Sequence, residues 1–178
     1  MSGTVRKPWI SPEAYLAAER TSGVRHEYVD GELFPMPVES HRHAAIAGNI
    51  GAAIRETAPL HAAYVHVGSA RVWIEEANVC YCPDVVVSGG PGNADIAERP
   101  LLIVEVLSDR TEATDRREKR VNYLRVASIQ EYVLVSQNER SIELYRRDGD
   151  QWNAEITDDG EVLLEAVGAV LRLDEVYR

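Results

Sequence analysis

The amino-acid sequence predicts an α/β fold in which a mixed β-sheet is flanked by helices. Segments with the residue spacing of amphipathic helices alternate with short aliphatic runs typical of buried strands, in the order helix, strands, helix, strands. No internal repeat or change of composition divides the 178 residues. We therefore expect one domain that spans residues 1–178.

The first part of the chain is predicted to contain a helix, a hairpin and a second helix. The segment SPEAYLAAERTSG has Ser11 as N-cap and Gly23 just past the helix end. EYVDGELFPM follows as a hairpin, because its Asp30-Gly31 pair suits a turn with positive φ. Residues 40–57 place isoleucines four residues apart, which predicts one apolar helix stripe. These isoleucines are Ile46, Ile50 and Ile54.

The remaining elements are mostly strands. YVHVGSARVWIEE alternates like a strand pair, while YCPDVVVSGG and LLIVEVLS each read as one strand. After the polar segment DRTEAT, the periodicity of DRREKRVNYLRVA predicts a helix. EYVLVSQNERSIELYRR then predicts a hairpin, and shorter strand-like and helix-like pieces complete the C-terminus.

Charge and composition exclude several classes of protein. With 19 basic and 29 acidic residues, the chain has a formal charge of −10, which argues against a uniformly basic surface for nucleic acid. Six basic residues against four acidic ones between Asp109 and Arg125 still allow a local basic strip. No segment resembles a signal peptide or a membrane span, so we expect a cytoplasmic protein that does not bind membranes. Cys80 and Cys82 are expected to be reduced thiols.

Two carboxylates occupy unusual places in the predicted strands. Glu105 lies within an otherwise aliphatic run, and Asp84 directly precedes the apolar residues of another strand. If these strands are neighbours, the two carboxylates converge at one sheet edge. A buried carboxylate is costly without a cation, hydrogen bonds or a metal, so this edge is a candidate site.

Lys119 is the candidate cation, and it supports two interpretations. In the first, Lys119 forms a structural salt bridge with Glu105, while Asp115 caps the helix and Glu118 completes a capping box. In the second, Asp84 and Glu105 supply the hard oxygen ligands that Mg²⁺ prefers. Lys119 would then be a compact positive charge beside the attacked phosphate, a role for which arginine is a poor substitute.

The order of several short motifs resembles a known family. EYVDGEL, HAAIAGNI, PDVVV, IVEVLS, DRREKRVNY and EYVLV follow one another as in the Uma family of "putative restriction endonucleases", part of the PD-(D/E)XK nuclease superfamily. The resemblance extends from about Pro12 to Arg147 and implies a core like that of restriction endonucleases. No single motif is specific, but their order and spacing together are.

The resemblance implies roles for individual residues. Asp84 matches the aspartate of the PD half-motif, Glu105 matches the second acidic residue, and the carbonyl of Val106 would be a third metal ligand. The lysine of the pattern would fall at position 107, which is Leu107 in this chain. Lys119 resembles the migrated lysine that related nucleases supply from the following helix.

The resemblance also extends to less central positions. Glu27 matches an additional N-terminal acid of such sites, although it could equally be an exposed strand carboxylate. His43 matches the family histidine, although it could equally be a polar residue at a helix start. Asp115 matches the family aspartate, which N-capping explains as well, and Tyr123 is expected to contribute packing alone.

Two functions are consistent with these observations. The first is a Mg²⁺-dependent endonuclease, able to use Mn²⁺, that hydrolyses phosphodiester bonds of DNA as a homodimer. The second is a catalytically silent nuclease fold that binds protein or nucleic acid. The intact set of Asp84, Glu105 and Lys119 favours the first function, whereas the charge of −10 favours the second or a weak nucleic-acid binder.

Overall fold

Three β-sheets and their flanking helices make up the part of the chain that the computed structural model describes, residues 9–58, 63–90 and 95–178. The helical elements are α1 (Pro12–Glu19), α2 (His41–Thr57), a 3₁₀ turn (Glu75–Ala77), α3 (Glu112–Thr114), a π-helical turn (Asp115–Lys119), α4 (Arg120–Arg125) and α5 (Leu173–Val176). The first strands are β1 (His26–Val29), β2 (Glu32–Pro35), β3 (Tyr64–Val67), β4 (Val72–Ile74), β5 (Val79–Tyr81) and β6 (Val85–Ser88). The others are β7 (Pro100–Leu107), β8 (Glu131–Ser136), β9 (Ile142–Asp148), β10 (Gln151–Thr157), β11 (Glu161–Leu164) and β12 (Ala169–Arg172).

The predicted starts of α1 and α2 and the first predicted turn are confirmed. The Ser11 hydroxyl accepts a hydrogen bond from the Ala14 amide, and the Ser40 hydroxyl accepts one from the His43 amide. Asp30 and Gly31 both have positive φ in the β1–β2 turn, as their sequence predicts. Helix α1 ends at Glu19, earlier than predicted. Within the described ranges, no helix has the length and apolar content of a membrane span.

The largest sheet is mixed, which agrees with the predicted fold class. Its strand order is β10-β9-β8-β7-β6-β3, and β7 and β8 form its parallel pair. The isoleucine stripe of α2 packs on one face together with alternate residues of β7. A second core cluster, rich in tyrosine, packs on the opposite face. Strand β7 is therefore covered on both sides, as its aliphatic sequence indicates.

The strands that carry the two predicted ligands are antiparallel neighbours. Val85 of β6 lies opposite Val104 of β7, so the next position places Asp84 opposite Glu105. Directly opposed residues in an antiparallel pair point to the same face of the sheet. The pairing thus satisfies the condition under which the sequence predicts a common site.

The prediction of a strand pair within residues 64–76 is wrong. Strand β3 pairs with β6 in the large sheet, whereas β4 pairs with β5 in a four-stranded sheet of order β2-β1-β5-β4. Alternating polarity identifies each strand but does not choose its partner, because each strand buries its apolar face in a different core cluster. YCPDVVVSGG likewise divides between two strands, with Cys82–Asp84 connecting the two sheets.

Candidate active site

A cavity of about 370 Å³ lies where the two sheets meet. The β1–β2 hairpin and the start of α2 form one side, while the end of β7 and the following helical segment form the other. The structure brings five predicted side chains together around this cavity: Glu27, His43, Asp84, Glu105 and Lys119. The sixth predicted residue, Val106, contacts the site through its backbone.

Both carboxylate oxygens of Asp84 accept hydrogen bonds. The Val106 amide donates to Oδ2 at 2.7 Å, and Nε2 of His43 lies 2.8 Å from Oδ1. Nδ1 of His43 faces Oε2 of Glu39 at 3.3 Å. Burial lowers the pKa of His43, but the hydrogen bond and charge of Asp84 together with Glu39 raise it by more, so this pKa lies above its ordinary value. The first turn of α2 therefore orients Asp84.

Glu105 is deeply buried, with 3% of its surface exposed. Its Oε1 atom accepts hydrogen bonds from Nζ of Lys119 at 3.3 Å and from the Tyr123 hydroxyl at 3.2 Å. Burial raises the pKa of Glu105 well above the ordinary value, Lys119 opposes this shift, and the neighbouring carboxylates reinforce it. Glu105 is thus a carboxyl group whose charge depends on nearby cations.

Lys119 is surrounded by three carboxylates. Its Nζ atom lies 2.8 Å from Oε1 of Glu27, 3.1 Å from Oδ1 of Asp115 and 3.3 Å from Oε1 of Glu105. Burial alone would lower the pKa of Lys119, but these three charges raise it well above its ordinary value. The lysine therefore stays protonated beside three carboxyl groups.

A π-helical turn presents Asp115 and Lys119 to the cavity. The Arg120 amide donates to the carbonyl of Asp115, which also accepts the Tyr132 hydroxyl at 3.1 Å. Single π-turns within helices occur frequently at functional sites. Here the turn buries both Asp115 and Lys119, while the residues between them are more exposed.

The capping interpretation of Asp115 is wrong. Helical structure already begins at Glu112, so Asp115 lies inside the helical segment, with its side chain buried beside Lys119. Glu118 does not complete a capping box either, because its carboxylate accepts the Tyr81 hydroxyl at 2.7 Å. Asp115, which matches the family aspartate, is instead part of the charged cluster around Lys119.

Tyr123 is the site residue whose role the sequence prediction understated. It packs between Tyr81 and Tyr132, as expected of a core residue, and its hydroxyl also donates to Glu105. The available signal was its spacing of four residues from Lys119, which puts both side chains on one helix face.

The donor set suits a hard divalent cation. Asp84 and Glu105 are opposed across β6 and β7, and each oxygen of Asp84 accepts one hydrogen bond, which leaves that oxygen a lone pair for a metal. Mg²⁺ commonly takes one or two carboxylates and keeps several waters. Among the described residues, no group of three or more His, Cys, Asp or Glu side chains is arranged to hold a metal ion. The Lys119 ammonium takes the place between three of the carboxylates instead.

Comparisons with known proteins agree with this fold. A family model, Uma2, described as "Putative restriction endonuclease", matches residues 12–174. An uncharacterized protein of Synechocystis sp. is 32% identical over 178 residues, covering 96% of this chain and 93% of its own length. A second uncharacterized protein of that organism is 29% identical over 149 residues, covering 80% and 84%.

A solved structure shares the architecture. The crystal structure of "a putative nuclease belonging to DUF820" from Anabaena variabilis superposes with a TM-score of 0.75 at 19% identity. The match covers 94% of this chain and 97% of the other. The predicted α/β fold and the resemblance drawn from the sequence motifs are confirmed by these matches.

Proposed function

This chain belongs to the Uma2 family, and from that premise we propose that it is a Mg²⁺-dependent endonuclease that hydrolyses phosphodiester bonds of DNA. One observation carries the proposal. Asp84 and Glu105 are opposed on neighbouring strands, and the ammonium of Lys119 lies 3.3 Å from Glu105 in the same cavity. Paired carboxylates beside a lysine are suited to phosphoryl chemistry.

The cation would be held by the carboxylates of Asp84 and Glu105 and the carbonyl of Val106, with Mn²⁺ able to replace Mg²⁺. Bound there, it would polarise a phosphoryl oxygen and lower the pKa of the attacking water. The Val106 amide and His43 keep Asp84 oriented, since each bonds one of its oxygens.

In this proposal, Lys119 binds the phosphate that is attacked. Its ammonium donates to a nonbridging oxygen and stabilises the negative charge that develops there. Glu27 and Asp115 hold this ammonium in place and keep it protonated. Glu27, His43 and Asp115 are thus positioning residues in this proposal.

Nicking of supercoiled plasmid in Mg²⁺ or Mn²⁺ tests the proposal. The wild type is expected to nick, whereas Glu105→Gln loses metal-dependent activity. Glu131→Gln is the matched control, because Glu131 is equally buried but pairs with Arg146 outside the cavity. Thermal melting of both variants separates loss of function from loss of folding. Equal nicking by wild type and Glu105→Gln would contradict the assignment.

The ring of three carboxylates around Lys119 favours a second candidate, a catalytically silent protein whose charged cluster stabilises the fold. Titration of the wild type and Asp84→Asn with Mg²⁺ distinguishes the two. If the protein is a nuclease, Asp84→Asn should bind Mg²⁺ more weakly than the wild type. If it is catalytically silent, the two proteins should have the same affinity for Mg²⁺.

We further propose that the nuclease is a homodimer, because nucleases of the type it resembles commonly cut with paired active sites. Size-exclusion chromatography with light scattering measures the mass directly. A mass near twice the 19.8 kDa of the chain supports this arrangement, and a monomer at all concentrations contradicts it.

A further inference from the structure

One wall of the cavity is apolar. It is formed by the end of β2 and the segment after it, residues 34–37, with the sequence FPMP. Phe34 remains 45% exposed and Val38, directly beyond the wall, 94% exposed. Glu105 and Lys119 line the same cavity. An apolar surface beside a highly charged site suits an occupant that has both an apolar and a charged part.

We propose that this wall stacks the base of an unpaired nucleotide whose phosphate lies over Glu105 and Lys119. The substrate would then be single-stranded or locally strand-separated nucleic acid. This inference rests on the proposed function and adds the structural class of the substrate to it.

The dimensions of the cavity support one nucleotide. About 370 Å³ lies at the low end of the roughly 300–1,000 Å³ typical of sites for small molecules. A base can reach a wall inside such a cavity only after it leaves the stacked duplex. Phe34, Pro35 and Pro37 line the cavity with one aromatic ring and two proline rings, which are apolar groups against which a base can stack.

Charge supports the same occupant. A protein of charge −10 has little basic surface with which to follow a duplex backbone. Arg110 is an exposed guanidinium at the cavity, suited to a neighbouring phosphate. Stacking on aromatic residues, which needs few phosphate contacts, is a common source of affinity for unpaired strands.

Fluorescence quenching of 2-aminopurine tests the inference. The probe is a short DNA strand with one internal 2-aminopurine, offered alone, annealed to its complement, or as the RNA equivalent, with Ca²⁺ in place of Mg²⁺. We expect the wild-type protein to quench the fluorescence of the unpaired strand, with an affinity at least tenfold higher than its affinity for the duplex. The DNA and RNA arms identify which sugar the cavity takes.

Variants of Phe34 locate the binding wall. Phe34→Ala should weaken binding of the unpaired strand on the order of tenfold, and Phe34→Tyr should retain it. Tyr64→Ala is the matched control, because Tyr64 is also 45% exposed but lies on β3, away from the cavity. Its affinity should equal that of the wild type.

Two results would overturn the inference: tighter binding of the duplex, or equal affinity of Phe34→Ala and wild type for the unpaired strand. Neither result touches the proposed nuclease activity if plasmid nicking still depends on Glu105. Conversely, selective binding of unpaired strands without any metal-dependent cleavage would reject the nuclease while retaining the stacking site.

Discussion

For Glu105, the sequence predicts a buried carboxylate and one of its partners, but it does not predict all the groups that surround this carboxylate. A carboxylate in an aliphatic strand must be compensated, and Lys119 provides the predicted compensation. The second donor, Tyr123, depends on how the helical segment is rotated against the sheet. That rotation is set by the π-turn and by packing among tyrosines, which local sequence patterns do not encode.

Tyr123→Phe should reduce activity while leaving the fold intact. The change removes the hydroxyl that donates to Glu105 and costs about 1 kcal/mol of unfolding free energy. Because residues that orient metal ligands commonly contribute tenfold or more, we expect the nicking rate to fall on the order of tenfold. Rates with Mg²⁺ and urea unfolding measure the two effects.

Tyr28→Phe is the control for this change. Tyr28 is as buried as Tyr123, but its hydroxyl donates to the carbonyl of Ile10, away from the carboxylates. It should lose similar stability and keep full activity. A parallel loss of activity in both variants would show that Tyr123 acts through stability alone.

Lys119→Met should destabilise the protein strongly. The substitution leaves Glu27, Asp115 and Glu105 without their shared cation, and removing one partner of a buried ion pair costs about 3–5 kcal/mol. Urea unfolding at neutral pH measures this loss. Adding Glu105→Gln should recover part of it, because one buried negative charge is removed. If the changes in unfolding free energy of the two substitutions simply added in the double variant, Lys119 and Glu105 would not be coupled.

Helix α2 links stability to the site through its first turn. Ser40 caps the helix by accepting the His43 amide, and the same turn orients the imidazole toward Asp84. Sequence predicts the helix and its apolar stripe, because both depend on residues close together in the chain. The partner of His43, 41 residues away, follows from the tertiary structure alone.

Ser40→Ala should lower both stability and activity. Loss of an N-cap costs about 1 kcal/mol, and the loosened turn should misorient His43 and slow nicking several-fold. Ser11→Ala is the matched control, because Ser11 caps α1 in the same way, outside the cavity. Thermal melting should shift similarly for both variants, while nicking should slow for Ser40→Ala alone. If Ser40→Ala nicked at the wild-type rate, the N-cap of α2 would not contribute to the orientation of His43.

The pairing of strands shows the limit of local patterns. Residues 64–76 contain two correctly predicted strands, yet β3 and β4 belong to different sheets. Gly68, with φ of 57°, lies in the bend that separates them. Which sheet each strand joins depends on partners distant in sequence, so alternation of polarity alone could not decide it.

An ion-pair cluster connects three distant parts of the molecule. Glu19 at the end of α1 bonds Nδ1 of His26 at 2.8 Å and Nη2 of Arg71 at 2.9 Å. Burial raises the pKa of Glu19, but the bonds from His26 and Arg71 lower it by more, so the folded-state pKa lies below its ordinary value of 4.5. The cluster therefore stabilises the fold above pH 4.5 and ceases to do so as the pH falls through the lowered value.

Glu19→Gln should thus be less stable than wild type at pH 7, by about 1 kcal/mol. The difference should shrink as the pH falls below 4.5, where the wild-type carboxylate itself becomes protonated. Thermal melting of both proteins between pH 3 and 7 measures this difference. A constant gap across that range would show that Glu19 contributes through packing instead of charge.

The position of the cavity at the junction of two sheets has a mechanical consequence. Its apolar wall and Glu27 belong to the β1–β2 side, whereas Asp84 and Glu105 belong to the β6–β7 side. Each sheet is held by its own hydrogen-bond ladder. A small change in the angle between the sheets alters the aperture without breaking either ladder. The Glu27–Lys119 ion pair joins the two sides of the cavity. Because this ion pair also holds the ammonium of Lys119 in place, the angle between the sheets and the position of that ammonium are linked.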